Sequence, residues 1–299
     1  MILIHYTPDG LKRTTELRDI FHDETAVLIG GAPSLKEQPY HLLERRGVLT
    51  MAMNNAATLV RPTLFVCGDH PDCYDPTILL DPTIMKFGPM SWAETETKTF
   101  ITGRKFYTFP NMYFYMQAAK VPWDEYLADR AEVPWYNNTI LAGIHILYIL
   151  GVRRIILAGS DFMFGKTSDY AHGQILGSLE KKWNLDLYNH LVKELRTLRP
   201  VFDKAGLELM DCSKNSRLSQ VYQHIDLETA VKLATKEFPS ATVPSNLLPH
   251  CSKFAPRGIK EAIAEWPGHK AGASEVPTVI GESFKTNIKN QTLQPMEDI

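Results

Sequence analysis

The stretch Thr25-Ala26-Val27-Leu28-Ile29-Gly30-Gly31-Ala32-Pro33-Ser34-Leu35 decides the fold. An apolar run of strand length stops at a glycine pair. A Pro-Ser turn then leads into residues 36–46, which read as a helix. Glycines let a backbone approach a ligand closely, and the free N–H groups of a helix start attract phosphate. The stretch therefore predicts a nucleotide cradle after the first strand of an open α/β sheet, or a plain strand-to-helix turn. It is neither a G-x-G-x-x-G loop nor a Walker A loop, since Lys36 directly follows Leu35.

Working outward, residues 47–53 read as a second strand ending at Asn54-Asn55, whose amides can donate to and accept from a base or sugar. Residues 62–67 read as a third strand. It runs into Gly68-Asp69-His70-Pro71-Asp72-Cys73-Tyr74-Asp75, a loop rich in chemistry at the same presumed edge. Its spacing matches no zinc pattern, so no metal site is assigned, and Asp69 is taken as a ligand-contacting or Mg²⁺-bridging acid. Residues 76–136 are rich in Pro and aromatics and read as an insertion beside the sheet. Strand-like pieces lie at 84–87 and 105–109, and most aromatics, Trp135 and Tyr136 among them, are assigned to packing.

Asn137-Asn138-Thr139 supplies an N-cap for an apolar helix over 140–150, and Gly151 stops it. The strand 152–158 follows and ends at Gly159-Ser160-Asp161. Helix, glycine and strand in this order predict a crossover and a parallel sheet. Residues 163–180, with Tyr170 and His172, read as a lid. A helix over 180–198 carries Tyr188 and His190. A strand over 206–211 and a helix starting at Asn215 close the pattern. The expected organisation is an open, mostly parallel α/β domain over 1–237, with helices on both faces, and an extended tail over 238–299 with one helical patch at 259–266.

The composition fits this plan. Of 299 residues 44% are hydrophobic, enough for a full core, and the net charge of −2 gives no bulk electrostatic hold on nucleic acid. The four cysteines form no C-x-x-C pair, the start lacks a signal-peptide pattern, and no apolar run reaches the length of a membrane span. A cytoplasmic protein with reduced thiols is expected.

Taken together and in order, Gly30-Gly31-Ala32-Pro33-Ser34-Leu35, the strand ending at Asn54, the Thr139-headed helix, Leu150-Gly151, and Leu157-Ala158-Gly159-Ser160-Asp161-Phe162 followed by Tyr170 resemble the bacterial sialyltransferases of glycosyltransferase family 42. They equally resemble the related 6-hydroxymethylpterin diphosphokinase-like proteins, which are frequent in phage genomes. The resemblance covers about 25–218. It implies a Rossmann-like domain with a donor nucleotide, of the cytidine monophosphate sugar type, held by Ser34, Asn54, Thr139, Gly159 and Tyr170, beside the candidates Gly30, Gly31, Asn55 and Asp69 that the turns and loops themselves offer. Asp161, in the Gly-x-Asp turn, is a catalytic candidate and, with Asp69, a candidate Mg²⁺-bridging acid for a diphosphokinase, and the general base is His190 or His172. Gly31 stands where the sialyltransferases have Asn, and Met163 where they have a second Tyr, which argues against sialic acid as the sugar.

The expected activity is sugar transfer from a nucleotide sugar to a hydroxyl acceptor: a glycan, a small molecule or a modified DNA base. No cofactor is firmly assigned beyond that donor substrate, and the use of Mg²⁺ stays open. The alternatives are a pterin-type diphosphokinase using ATP and Mg²⁺, and a non-catalytic phage morphogenesis module. No membrane partner is expected, and a homo-oligomer is compatible with the sequence.

Overall fold

The structure is a computed structural model that describes residues 2–7, 9–98, 103–118, 121–134, 138–165, 168–213 and 216–236. Of the two units into which the chain divides, Met1–Ala255 contains every described residue.

In chain order the elements are β1 (Ile2–Tyr6), β2 (Lys12–Glu16), β3 (Thr25–Ile29), β4 (Thr50–Met53), β5 (Leu64–Val66), α1 (Pro76–Leu80), β6 (Met85–Pro89), β7 (Glu96–Thr97), β8 (Arg104–Lys105) and β9 (Met112–Ala118). They continue with β10 (Glu132–Pro134), α2 (Thr139–Ile149), β11 (Arg154–Ala158), α3 (Ser178–Lys204), β12 (Glu208–Asp211), β13 (Gln223–His224) and α4 (Leu227–Ala234). One 11-stranded sheet has the order β13-β12-β11-β3-β4-β5-β6-β9-β1-β2, with β10 beside β9. From β13 to β9 every pairing is parallel, whereas β1 and β2 add antiparallel at one edge. This is the Rossmann-like, mostly parallel α/β architecture that the Thr25–Leu35 stretch predicts.

Strand side chains alternate between two cores. Ala26 and Leu28 of β3, Met51 of β4 and Ile155 and Leu157 of β11 pack with α2 and α3. Val27 and Ile29, Ala52, Ile156 and Ala158 face the other way, toward α1, α4 and the short 3-10 turns. The period of two that separates them is the pleat of a strand buried on both faces. Each fully buried Leu or Ile contributes about 1.5–3 kcal/mol relative to exposure. Helix α2 is apolar all round because it lies between the sheet and the rest of its layer. Even His145 on it is fully buried, its Nδ1 2.8 Å from the Tyr126 carbonyl oxygen. Burial lowers its pKa to about 4, so the ring is neutral.

The topology places a switch point. The chain leaves β3 toward β4, β5 and β6, then returns through α2 to β11 on the other side of β3. Crevices at carboxyl ends of strands form where the winding reverses.

Some expectations change. The expected helix over 36–46 is two 3-10 turns, Pro33–Glu37 and Tyr40–Glu44, because Pro39 separates them. The strand-like 105–109 is instead a 3-10 turn at Phe106–Thr108. The region 76–136 contributes β6 and β9 to the main sheet rather than lying beside it. Ser216–Leu218 form a turn, not a helix start, and α4, β1 and β2 were not anticipated. Trp135, Tyr136, Asn137, Asn215, the tail 238–299 and its patch at 259–266 lie outside the described residues.

Candidate functional site

The switch point is built on two glycines. A Cβ on Gly30 would meet the Gly159 carbonyl oxygen at 2.4 Å, and one on Gly159, whose φ is +60°, would meet the Gly30 oxygen at 2.6 Å. The turns after β3 and β11 can touch only because neither residue has a side chain. The ladder runs on into them, with Gly30 N donating to Ala158 O at 2.7 Å and Ala32 N to Gly159 O at 2.9 Å.

Asp161 locks the two turns together. Its carboxylate accepts from Ser34 N at 3.2 Å and from Ser34 Oγ at 2.5 Å, and both residues are buried. Burial raises the Asp161 pKa, opposed by the two Ser34 hydrogen bonds. Both carboxylate oxygens are thus engaged in organising the turn. Behind it, Ser160 N donates to Ser213 Oγ at 2.9 Å and Ser213 N to Asp211 Oδ1 at 3.0 Å. Among the described residues, Ser160 Oγ and Asp211 Oδ2 are buried without a partner.

The second half of the rim lies at the ends of β4 and β5 and the head of α2. Asp69 N donates to the Tyr74 hydroxyl at 2.7 Å, which donates to Asn54 Oδ1 at 3.2 Å; Asn54 Nδ2 in turn donates to Thr139 Oγ1 at 3.3 Å. Asn138 Oδ1 caps α2 through Ile140 N at 2.8 Å. Asn54 holds a φ of +50°, a left-handed conformation that Asn tolerates. Asn55 follows in the 3-10 turn Asn54–Thr58, half-buried, its carbonyl accepting from Thr58 Oγ1 at 2.7 Å.

Asp69 is exposed yet surrounded by enough protein for desolvation to raise its pKa. The other groups of its loop have local duties. His70 Nδ1 accepts from Asp72 N at 3.2 Å, the Asp72 carboxylate accepts from Lys98 N at 2.9 Å, and Asp75 caps α1 through Thr77 N at 2.8 Å. Burial pushes the Cys73 thiol up to about 12, away from thiolate chemistry. Among the described residues no group of three or more His, Cys, Asp or Glu is placed to hold a metal ion.

The lid lies over the turn after β3 and against α3. Ala171 N donates to Gly31 O at 2.8 Å. The Tyr170 and His172 rings stack, with centroids 5.2 Å apart and 15° between planes, and both lie within 4 Å of where a Gly31 side chain would be. Buried Asp169 accepts from Leu176 N at 2.7 Å and pairs with Lys181 of α3 at 3.0 Å. The Tyr188 hydroxyl, also on α3, donates to the Tyr170 hydroxyl at 3.4 Å. Burial raises both phenol pKa values, and the charge of Asp69 raises Tyr170 further, so the rim halves are within electrostatic reach of each other. His172 Nε2 lies 2.9 Å from Gln174 Oε1, Nδ1 is buried without a partner, and burial lowers the ring pKa.

The structure thus gathers Gly30, Gly31, Ser34, Asn54, Asp69, Thr139, Gly159, Asp161, Tyr170 and His172 along one rim. His190 is not among them. It lies about 200° around α3 from Tyr188 by helical periodicity, 66% exposed, with Nε2 2.7 Å from Glu194. Two members were not singled out by the sequence, Tyr74 and Tyr188. Tyr74 stands in a loop already marked for its acids, whereas only tertiary packing against Phe162 and Phe164 reveals Tyr188. Phe162 itself holds a φ of +56°, unusual for an aromatic residue. Such strain gathers at sites the surroundings over-determine.

No family model and no curated protein matches the chain. Two solved structures are similar. One is the sialyltransferase CST-II in complex with trisaccharide acceptor and CMP, 16% identical, covering 72% of this chain and 89% of that one, with a TM-score of 0.39. The other is a mammalian sialyltransferase in complex with Gal-beta-1-3GalNAc-ortho-nitrophenol, 15% identical, covering 62% and 69%, with a TM-score of 0.34. At such scores neither likeness carries weight for fold or activity.

Proposed function

We propose that the protein is a glycosyltransferase that moves a sugar from a nucleotide-activated donor, of the cytidine monophosphate sugar type, to a hydroxyl acceptor. The observation that carries this reading is the run Asp69–Tyr74–Asn54–Thr139 beside a glycine turn that an aromatic lid covers. Fixed amide and hydroxyl groups suit a base and ribose, and phenols over a glycine turn suit a phosphate.

In this account the bond between the anomeric carbon and the phosphate oxygen breaks as the acceptor oxygen bonds to that carbon. The electron pair leaves on the phosphate, where the Tyr170 and Tyr188 hydroxyls donate to it. The acceptor proton passes to His172, whose lowered pKa keeps it neutral and basic at neutral pH. Its Nδ1 is sealed in the present arrangement, so the segment carrying Tyr170 and His172 lifts before acceptor enters. His190, solvent-facing and paired with Glu194, has no part in this step. The donor sugar is other than sialic acid, in line with Gly31 and Met163, and the acceptor class extends to glycans, small molecules and modified DNA bases. The protein acts in the cytoplasm.

Calorimetry with cytidine, uridine and adenine nucleotides, with and without Mg²⁺, tests the reading. Binding of a pyrimidine nucleotide without Mg²⁺ supports it. Strictly Mg²⁺-dependent ATP binding would instead assign a diphosphokinase with Asp69 as the bridging acid. Silence toward every nucleotide would leave a fold kept for assembly alone.

A further inference from the structure

The first half of α3 turns one flank, with Lys181 and Tyr188, toward the site just described and leaves the other flank bare. The helix is 27 residues long, about 40 Å at 1.5 Å per residue, whereas a five-residue strand of the sheet spans only about 17 Å. From Ser178 to His190 not one residue is buried, and the first buried side chain is Leu191. Yet this half carries Leu179 at 73% and Trp183 at 57% exposure, preceded by Ile175 at 70%. Only the flank with Leu187 and Tyr188 packs on the core, so the Leu179–Trp183 line adds no packing to the helix, from which most helix stability comes.

Leu179 and Trp183 are four apart and lie on one line along the helix. Lys182 and Asp186 flank that line on the side away from Leu187 and Leu191. Among the described residues neither is ion-paired, either with the other or with a third group. Of the segment's charges, Glu180 accepts from Gly177 N and Lys181 pairs with Asp169, which leaves one cation, Lys182, and one anion, Asp186, beside the line. It therefore suits a partner with the same balanced pattern rather than a polyanion.

We propose that this face binds a second copy of the chain, two overhangs pairing antiparallel about a two-fold axis near Asn184. Trp183 and Leu179 fill the seam. Each Lys182 meets the partner's Asp186, an arrangement that one sequence satisfies twice because an isologous interface is self-complementary. The ion pairs set register more than affinity. A single helix pair buries less than the roughly 1,200 Å² of a standard interface, so association falls near the micromolar range. Tyr188 and Lys181 lie on the opposite flank, so their lid contacts stay intact.

The experiment is light scattering and sedimentation of the full chain from about 1 to 100 µM, with far-UV circular dichroism to verify the fold. A concentration-dependent dimer is expected. Trp183→Glu gives a monomer with an unchanged spectrum. Lys182→Glu weakens association about tenfold, and Lys182→Glu with Asp186→Lys restores it. A wild-type monomer throughout would overturn the proposal, including one whose Trp183 is covered by its own residues 237–299. A dimer indifferent to Trp183→Glu, or a charge swap without rescue, would overturn it equally.

Discussion

Two polar clusters lie at opposite ends of the same parallel sheet, and they are finished differently. At the amino ends of β5, β6 and β9, fully buried Lys86 donates to Asp81 O at 2.6 Å, Ile84 O at 3.0 Å and Pro110 O at 2.6 Å. The Asp81 carboxylate accepts from Thr83 N at 2.8 Å, Thr83 Oγ1 at 2.7 Å and Arg61 Nε at 2.7 Å. Each ammonium proton and each carboxylate oxygen there has a partner. At the carboxyl ends, His172 Nδ1, Ser160 Oγ and Asp211 Oδ2 are buried without one among the described residues, and Phe162 holds a strained backbone. A closed cluster holds a fold together, whereas an open, strained one keeps capacity for a ligand at a cost in stability.

If the contrast is right, substitutions at the two ends separate into different measurements. The largest effect falls on catalysis: His172→Ala lowers the transfer rate about 10²–10⁴-fold, while donor affinity and melting temperature barely move. His190→Ala leaves the rate unchanged, and a large loss there would transfer the base role to His190. Because burial lowers the His172 pKa, the rate should hold through pH 6.5 and fall only at lower pH.

Next in size is Lys86→Met. It strands three buried carbonyls and costs on the order of 3 kcal/mol in urea unfolding, with nucleotide affinity intact. Its signature is a pH dependence. Burial lowers the Lys86 pKa to about 7, so the folded state releases this proton before the unfolded state, whose lysine titrates at about 10.5. Stability from this group therefore rises between pH 7 and 10.5 in the wild type, and the rise vanishes in Lys86→Met. A weakened nucleotide affinity in that variant would break the separation.

Asn54→Asp keeps a residue that tolerates positive φ but removes the donor to Thr139. It should weaken nucleotide binding about tenfold or more, with under about 1 kcal/mol lost in stability. Tyr170→Phe, which loses one hydroxyl over the glycine turn, should cost about 1 kcal/mol of binding. Equal stability losses at both ends would show that the rim is structural too.

Much of this could be read before the coordinates. β3, β11 and α2 announce themselves because strands and helices buried on all sides are written as unbroken apolar runs. The glycines and caps at their ends are equally local, and so the rim residues Gly30, Asn54, Thr139 and Gly159 were legible. β2 was not, because Lys12-Arg13-Thr14-Thr15-Glu16 is an exposed edge strand with no apolar face. The aromatic stretch concealed β9, whose alternation is blurred by burial on both sides. Tyr188 joins Tyr170 from 18 residues away, and Arg61 reaches Asp81 from 20. Such pairings depend on how helices and turns are laid on the sheet, which local pattern does not specify.

The central claim is that the open rim binds a nucleotide through Asn54, and titration calorimetry of cytidine monophosphate into the wild type and Asn54→Asp tests it most directly. The account predicts saturable binding by the wild type, weakened about tenfold or more in the variant at unchanged melting temperature. A wild type that releases no heat with any nucleotide, or a variant that binds just as well, would contradict it.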